Sequence, residues 1–346
     1  MRWIGLGVLV VVSLLLFEYT QIDRESPDYE PSETVIQKTP ISETRVLFSG
    51  DVFLGRDVER RNTGEFLSRP LEIFQTFDDL DAVVINFEAP VPQVHSPTPD
   101  FGMQFSVSSN FLPALADVGI THVSLANNHT LDHGADGFTH TQQSFRAHDI
   151  EPFGHPSQLN LDSVSYIETP HHRVAIVGIH TLYGLPSDSD LDEIVGYARA
   201  TADVAVVYIH WGEEYHLQHN GTQKQLAQTL VAAGADFIIG HHPHVVQGVD
   251  KIDDAVVFFS LGNTIFDQYF SIDVQEGLLV ELVLRDKDAE LLLHPITSVG
   301  SPTVPRLMTD TERTSWLTGL AGRSTDLLLE DISRGTIHAG RPLRND

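Results

Sequence analysis

Cysteine is absent from the chain. That absence removes disulfides, thiolate metal ligands, cysteine nucleophiles and a lipid-bearing cysteine behind a leader, though it fixes no compartment. Lysine is nearly absent too: Lys38, Lys224, Lys251 and Lys287 are the whole complement. With 48 acidic against 21 basic residues, the formal charge of -27 leaves little material for the basic face that duplex or RNA binding needs. No nucleic-acid partner is expected. So acidic a chain suits concentrated salt, where the Debye length falls to ~3 Å and repulsion between carboxylates is screened. A halophilic source is therefore expected, because an ordinary acidic surface does not explain the shortage of lysine. Also missing are a phosphate-cradling glycine loop closed by Lys-Ser/Thr and a His-Glu-x-x-His helix, which sets aside nucleotide-driven chemistry and the zincin proteases.

Long apolar runs are scarce. One, Trp3 to Phe17, comes directly after Met1-Arg2 and is ended by Glu18. At about 15 residues it lies between a signal-peptide core and a minimal spanning helix, for which roughly 17 to 25 residues are usual. No small-x-small cleavage site stands behind it. An uncleaved membrane anchor over residues 1–20, with the bulk of the chain outside the cell, is therefore the first expectation, and a cleaved leader with secretion the second. Residues 21–43 are polar and acidic and carry Pro27, Pro31 and Pro40, so they read as a flexible tether. The remaining length holds one large domain or two modest ones. We expect a main domain over residues 44–300 and a C-terminal helical extension over 301–346, with amphipathic helices at Thr311 to Leu320 and Ser324 to Ile332.

What the chain does have is histidine in the right places. Gly240-His241-His242-Pro243-His244 comes after the apolar run Phe237-Ile238-Ile239, which reads as a buried strand. Ligands of open α/β sheets gather where such strands end, and imidazole suits zinc, manganese or iron. A lone histidine there is more simply a core or solvated residue; three together favour a metal centre. The pattern repeats along the chain. Arg45 to Ser49 runs into Gly50-Asp51, Ala82 to Ile85 into Asn86-Phe87-Glu88, and Thr121 to Leu125 into Ala126-Asn127-Asn128-His129 with Asp132 and Gly134 beyond. Val204 to Ile209 runs into His210-Trp211-Gly212-Glu213-Glu214-Tyr215, and Val256 to Phe259 into Ser260-Leu261-Gly262-Asn263. If these strands share a sheet, their ends are neighbours. Two cations about 3.5 to 4 Å apart, bridged by a carboxylate, would then activate water and clamp a phosphoryl or carboxyl centre.

The order of these motifs, from Ser49-Gly50-Asp51-Val52-Phe53-Leu54-Gly55-Arg56 through Gly240 to His244 to Ser260-Leu261-Gly262-Asn263, closely resembles the CapA/PgsA family over roughly residues 45 to 295. That family is associated with bacterial poly-γ-glutamate capsule synthesis and is related to the calcineurin-like metallophosphoesterases. The resemblance implies an α/β, four-layer αββα sandwich, two β-sheets flanked by helices, with two divalent cations (manganese, iron or zinc) at one edge. It implies Asp51, Glu88, Asn128, His210, His242 and His244 as metal ligands, with Glu88 where the superfamily has its bridging aspartate. It implies His129 as proton donor with Asp132 beside it, and Arg56 and Asn263 as substrate contacts. His241 is left without a role. Phe53 stands where the superfamily usually has a histidine, which removes one ligand.

Three functions stay open at this point. The first is a membrane-tethered protein of a capsule-synthesis complex that acts on an anionic polymer of the poly-γ-glutamate type. The second is a metal-dependent phosphoesterase of small phosphorylated substrates. The third is a non-catalytic scaffold with a degenerate site.

Overall fold

Alternation along the strands reveals the layers. In β1 (Glu43–Val52), Val46 and Phe48 join one buried cluster while Leu47 and Val52 join another. Side chains alternate across a strand, so a strand apolar at every position is buried on both faces. The computed structural model describes residues 43–285 and 288–340. The expected anchor, and the tether as far as residue 42, lie outside the described residues.

The chain first lays down β1, α1 (Arg56–Arg61), β2 (Ala82–Phe87), α2 (Leu112–Asp117), β3 (His122–Ser124), α3 (Gly134–Arg146) and β4 (Glu151–Phe153). These four strands are parallel neighbours in chain order. The chain then builds a second sheet from β5 (Val164–Glu168), β6 (Arg173–His180), β7 (Val204–His210), β8 (Phe237–His241), β9 (Val249–Ile252) and β10 (Ala255–Phe258). Here α4 (Asp188–Thr201) comes after β6 and α5 (Gly221–Ala232) after β7. The order is β5-β6-β7-β8-β10-β9, with the inner four parallel. The chain returns through β11 (Asn263–Ile265), which pairs with β1, and the hairpin β12 (Glu276–Arg285) and β13 (Asp288–Thr297), which extends the first sheet. Last come β14 (Arg306–Leu307), α6 (Asp310–Ala321), α7 (Leu329–Arg334) and β15 (Thr336–Ala339).

Three clusters separate four layers. Val46, Phe48 and Val84 of the first sheet meet Val174, Val206, Tyr208 and Ile239 of the second in a shared middle. The outer face of the first sheet, with Leu47, Val83 and Ile85, packs on Leu112 and Leu115 of α2 and on Phe138 and Phe145 of α3. The outer face of the second, with Val177, Val207 and Ile238, packs on Leu191 and Val195 of α4 and on Leu226 and Leu230 of α5. This is the αββα sandwich expected. Each fully buried Val, Ile or Phe contributes about 1.5 to 3 kcal/mol by leaving water. Polar bonds also cross between the sheets: the Tyr208 hydroxyl donates to the Ser49 backbone carbonyl, tying β7 to β1.

Residues 301–340 differ from the separate helical extension expected. Leu317, Leu320 and Ile332 enter the middle cluster, and β14 and β15 both pair with β13, so this segment completes the first sheet. Helix α6 begins on a capping box, Thr309 with Glu312, close to the expected start. The second expected helix shrinks to α7, which ends on Gly335 at φ 80°. Among the described residues no helix is long and apolar enough to cross a membrane.

Candidate metal centre

The strand ends do meet, but from two sheets rather than one. Asp51, Glu88, Asn128 and His129 come from the carboxyl ends of β1, β2 and β3. His210 ends β7, while His241 ends β8 and His242 and His244 lie just beyond it. Glycine makes the approach possible: a Cβ on Gly50, before Asp51, would stand 1.9 Å from the Gly262 carbonyl oxygen. One on Gly240, before His241, would stand 2.2 Å from that of Phe259. Beyond Gly240 the backbone is strained, with His242 at φ 99° and His244 at φ 58°. Such conformations persist only where the surroundings impose them, and they concentrate at ligand clamps.

Asp51 is the hub. Its Oδ1 accepts from Asn86 Nδ2 at 2.8 Å, and its Oδ2 from the His242 backbone N–H at 3.1 Å. His244 Nδ1 lies 3.2 Å from Oδ2 and also bonds Asn263 Oδ1 at 2.9 Å. That bond to Asn263 protonates Nδ1 and leaves Nε2, 3.9 Å from Glu88 Oε1, as the free lone pair. His210 Nε2 lies 2.7 Å from Asn128 Oδ1 and 4.0 Å from Glu88 Oε1. Two buried sets of three could hold an ion by proximity: Asp51, His210 and His241, and Glu88, His242 and His244. Within the first, His210 Nδ1 and His241 Nδ1 are 2.7 Å apart. Two nitrogens on one tetrahedral zinc, each at ~2.1 Å, sit about 3.4 Å apart. The 2.7 Å pair is therefore a hydrogen bond, and His241 backs His210 from behind. This gives His241 the role that sequence reasoning could not assign.

Burial and mutual charge shape the protonation. Burial, then the charge of Asp51, push the Glu88 carboxyl well above the usual range. Burial also tends to raise Asp51, but hydrogen bonding and charge from His244, charge from His241 and the Asn86 bond together bring it down to about 2. Burial first, then the neighbouring imidazoles, hold His210 well below its ordinary value. Burial draws His241 down to about 4 and His242 to about 3, against the charge of Asp51. Against burial, the bond and charge of Asp51 raise His244.

The donor set fits divalent cations. Both carboxyl oxygens of Glu88 are buried with no hydrogen-bond partner, and so is His242 Nδ1. A buried carboxylate without a partner costs several kcal/mol unless a cation compensates it. Glu88 with His242 and His244 is the set whose lone pairs are unmet, and Asn128 Oδ1 stands 2.7 Å from His210 Nε2 beside it.

His129 stands at the mouth. Its Nδ1 is 2.8 Å from Asp132 Oδ2, and that oxygen also accepts from the Phe105 N–H at 2.6 Å. Asn127 Oδ1 takes the N–H groups of His129 and Thr130, folding the turn that aims Asn128 and His129. His129 stacks on Phe105 at 3.7 Å, and Phe105 on Phe53 at 4.2 Å, so an apolar stack fills the place of the missing histidine ligand. The cavity outside, about 620 Å³, is lined by His129, His244, Arg56, Tyr215, Phe101 and Phe270. Arg56, expected to contact substrate, lines this cavity and is paired with Asp267 through Nε at 3.0 Å and Nη2 at 2.5 Å. Asn263, expected to touch substrate, is instead 6% exposed. Its Nδ2 bonds Gln268 and the Val274 carbonyl, leaving its oxygen for His244.

Residues 45–268 match the family described as "Bacterial capsule synthesis protein PGA_cap". The chain belongs to that family. A relative from Bacillus subtilis (strain 168), named PGA biosynthesis protein CapA, is 32% identical over 258 residues, 69% of this chain and 67% of its own length. One from Bacillus anthracis, named capsule biosynthesis protein CapA, is 30% identical over 267 residues, 70% of this chain and 64% of its own. The chain thus spans 67% and 64% of the lengths of these two relatives. Among solved structures, a putative 5'-nucleotidase from Staphylococcus aureus matches with a TM-score of 0.45 at 16% identity, over 70% of this chain and 51% of that one.

Within this PGA_cap chain, sequence reasoning missed Asn86, which bonds Asp51, and Asn127, which folds the turn of Asn128 and His129. Asn86 was visible as an amide at a strand end, but the adjacent Glu88 drew attention from it. His180 ends β6 as His210 ends β7.

Proposed function

We propose that this chain acts on an anionic capsule polymer of the poly-γ-glutamate type, in its synthesis, export or trimming, using two divalent cations of manganese, iron or zinc. Residues 1–20 tether it to the membrane with the domain outside the cell, within a capsule-synthesis complex. Its relatives' names support the polymer, and the residues at the cage support the chemistry. The observation that carries the reading is Glu88, whose two buried oxygens find no hydrogen-bond partner among the described residues, with His210 and His244 standing 4.0 and 3.9 Å away. Bound there, the cations supply Lewis-acid polarisation of the reacting carbonyl and acidify water.

The chain's own groups do the rest. Glu88, His242 and His244 would hold one cation, and Asp51, Asn128 and His210 are the donors that would serve a second. Asp132 fixes the His129 Nδ1 proton, so His129 Nε2 presents the tautomer-defined edge that exchanges a proton with the leaving group. Phe105, stacked on His129, excludes water from one face of that ring. Arg56, neutralised by Asp267, braces the wall rather than attracting anions from a distance.

Protein loaded with manganese and dialysed should retain two equivalents, lost in His242→Ala. It should shorten poly-γ-glutamate, seen as a shift in size-exclusion profile, and His129→Ala should stop this without unfolding. Turnover of p-nitrophenyl phosphate with no effect on the polymer assigns a phosphoesterase instead. Retention of no metal leaves the scaffold.

A further inference from the structure

Three histidines stand side by side at the carboxyl edge of the second sheet. The strand register pairs His180 with His210 and His210 with His241. Register partners on parallel strands point to one face, so His180 is the outer member of a row whose other two members build the metal centre. Its ring lies 5.7 Å from that of His210. Nothing in the chemistry above uses it.

The bonding of His180 is one-sided. Nδ1 is 2.6 Å from the Pro156 carbonyl oxygen, and a carbonyl only accepts, so Nδ1 carries the proton. Nε2 is left as a lone pair that is buried and meets no protein partner, on a residue 8% exposed. Burial keeps the ring neutral by lowering its pKa, against the pull of that carbonyl. His180 lines a cavity of about 290 Å³ together with His155, Tyr183 and Asp190. The Tyr183 hydroxyl donates to the Asn128 backbone carbonyl at 2.7 Å, so this cavity adjoins the metal centre. It shares no wall residue with the larger cavity in front of His129.

We propose that this cavity is a second subsite that receives an amide N–H of an extended amide-linked chain on the His180 Nε2 lone pair, while a neighbouring linkage lies at the metal centre. The proposal rests on the polymer reading above and narrows it. A γ-glutamyl chain brings one N–H donor per repeat, and a repeat of five backbone bonds spans roughly 6 Å when extended. That length is of the same order as the ring separation between His180 and His210. A phosphoester or polyphosphate offers its ionised oxygens as acceptors, which a bare lone pair repels. His180 therefore selects amide chains by a donor that phosphorylated substrates lack.

The test is isothermal titration of the full, manganese-loaded chain with an N-acetylated γ-glutamyl tetramer and with its depsipeptide, in which each amide N–H is an ester oxygen. Wild-type protein should bind the amide roughly three- to tenfold more tightly than the ester. His180→Phe should lose that preference at unchanged metal content, and His180→Gln, which keeps an acceptor, should retain it. Equal binding of amide and ester by wild-type protein overturns the proposal whether or not His180→Phe folds, as does a preference that survives in His180→Phe. Failure of wild-type protein to bind either tetramer overturns the polymer reading and this proposal with it.

Discussion

The first sheet brings oxygen to the metal centre, and the second brings nitrogen. Asp51, Asn86, Glu88 and Asn128 leave β1, β2 and β3, whereas His180, His210, His241, His242 and His244 leave β6, β7 and β8. Each half is electrostatically uncomfortable alone. The charge of Asp51 adds to burial in pushing Glu88 upward, and the imidazoles push one another down. Bringing the halves together relieves part of this through the contact of His244 with Asp51. A cation between them relieves the rest, because it compensates the acid and accepts the lone pairs at once. The cage is thus a property of the interface between sheets, which neither sheet builds alone.

Removing the carboxylate that has no hydrogen-bond partner should break this arrangement most severely. Glu88→Gln should lower metal affinity by more than about 100-fold, measured by competition with a chelating dye. The same variant without metal should melt no lower than wild-type protein, since it deletes a buried acid without a partner. A clear fall in its metal-free melting temperature would count against that reading. Next in size is the support behind a nitrogen ligand. Asn263→Ala removes the acceptor that fixes the His244 tautomer and should cost about 10- to 100-fold in metal affinity. An unchanged affinity would return Asn263 to the role of a substrate contact.

Acid should separate the two halves next. In the metal-free protein, His241 and His242 stay neutral down to about 4 and about 3, while in the unfolded chain they protonate near 6.5. A depressed pKa gives stability that is whole above the unfolded value and is lost as pH falls through the window toward the folded one. Chelated protein should therefore melt progressively lower from about pH 6.5 toward pH 4. His244 and Glu88, whose pKa values are raised, work in the opposite sense and soften the slope. A melting temperature that is flat across this range contradicts the assignment. The smallest effect concerns the tie between the sheets away from the cage. Tyr208→Phe leaves the Ser49 carbonyl unpaired in the middle layer and should cost about 1 to 3 kcal/mol in denaturant unfolding, with metal affinity little changed.

Much of this was legible because the sheets are buried on both faces. Such strands read as unbroken runs of Val, Ile and Phe, and the residues just beyond each run are those that the edge of the sandwich presents. That rule located β1, β2, β3, β7, β8 and the turn after β10 together with the polar residues at their ends. It missed β4, β5, β9 and β15, which are short or have mixed burial and so lack a long run. Periodicity also carries no information on which sheet a strand joins, so the division of ligands between two sheets had to come from pairing. The Arg56 to Asp267 pair and the hold of Asn263 on His244 escaped for a related reason. Partners 211 and 19 residues apart leave no local pattern.

The same separation governs how the protein is made. Asp51 and the His242 N–H that bonds it are 191 positions apart. During synthesis the acids of the first half emerge well before any imidazole of the second, at a pace of roughly 5 to 20 residues per second. About 10 to 40 seconds therefore separate the emergence of Asp51 from that of His242. A ribosome-bound chain stopped short of β8 lacks His241, His242 and His244 and so presents only part of the candidate donor set.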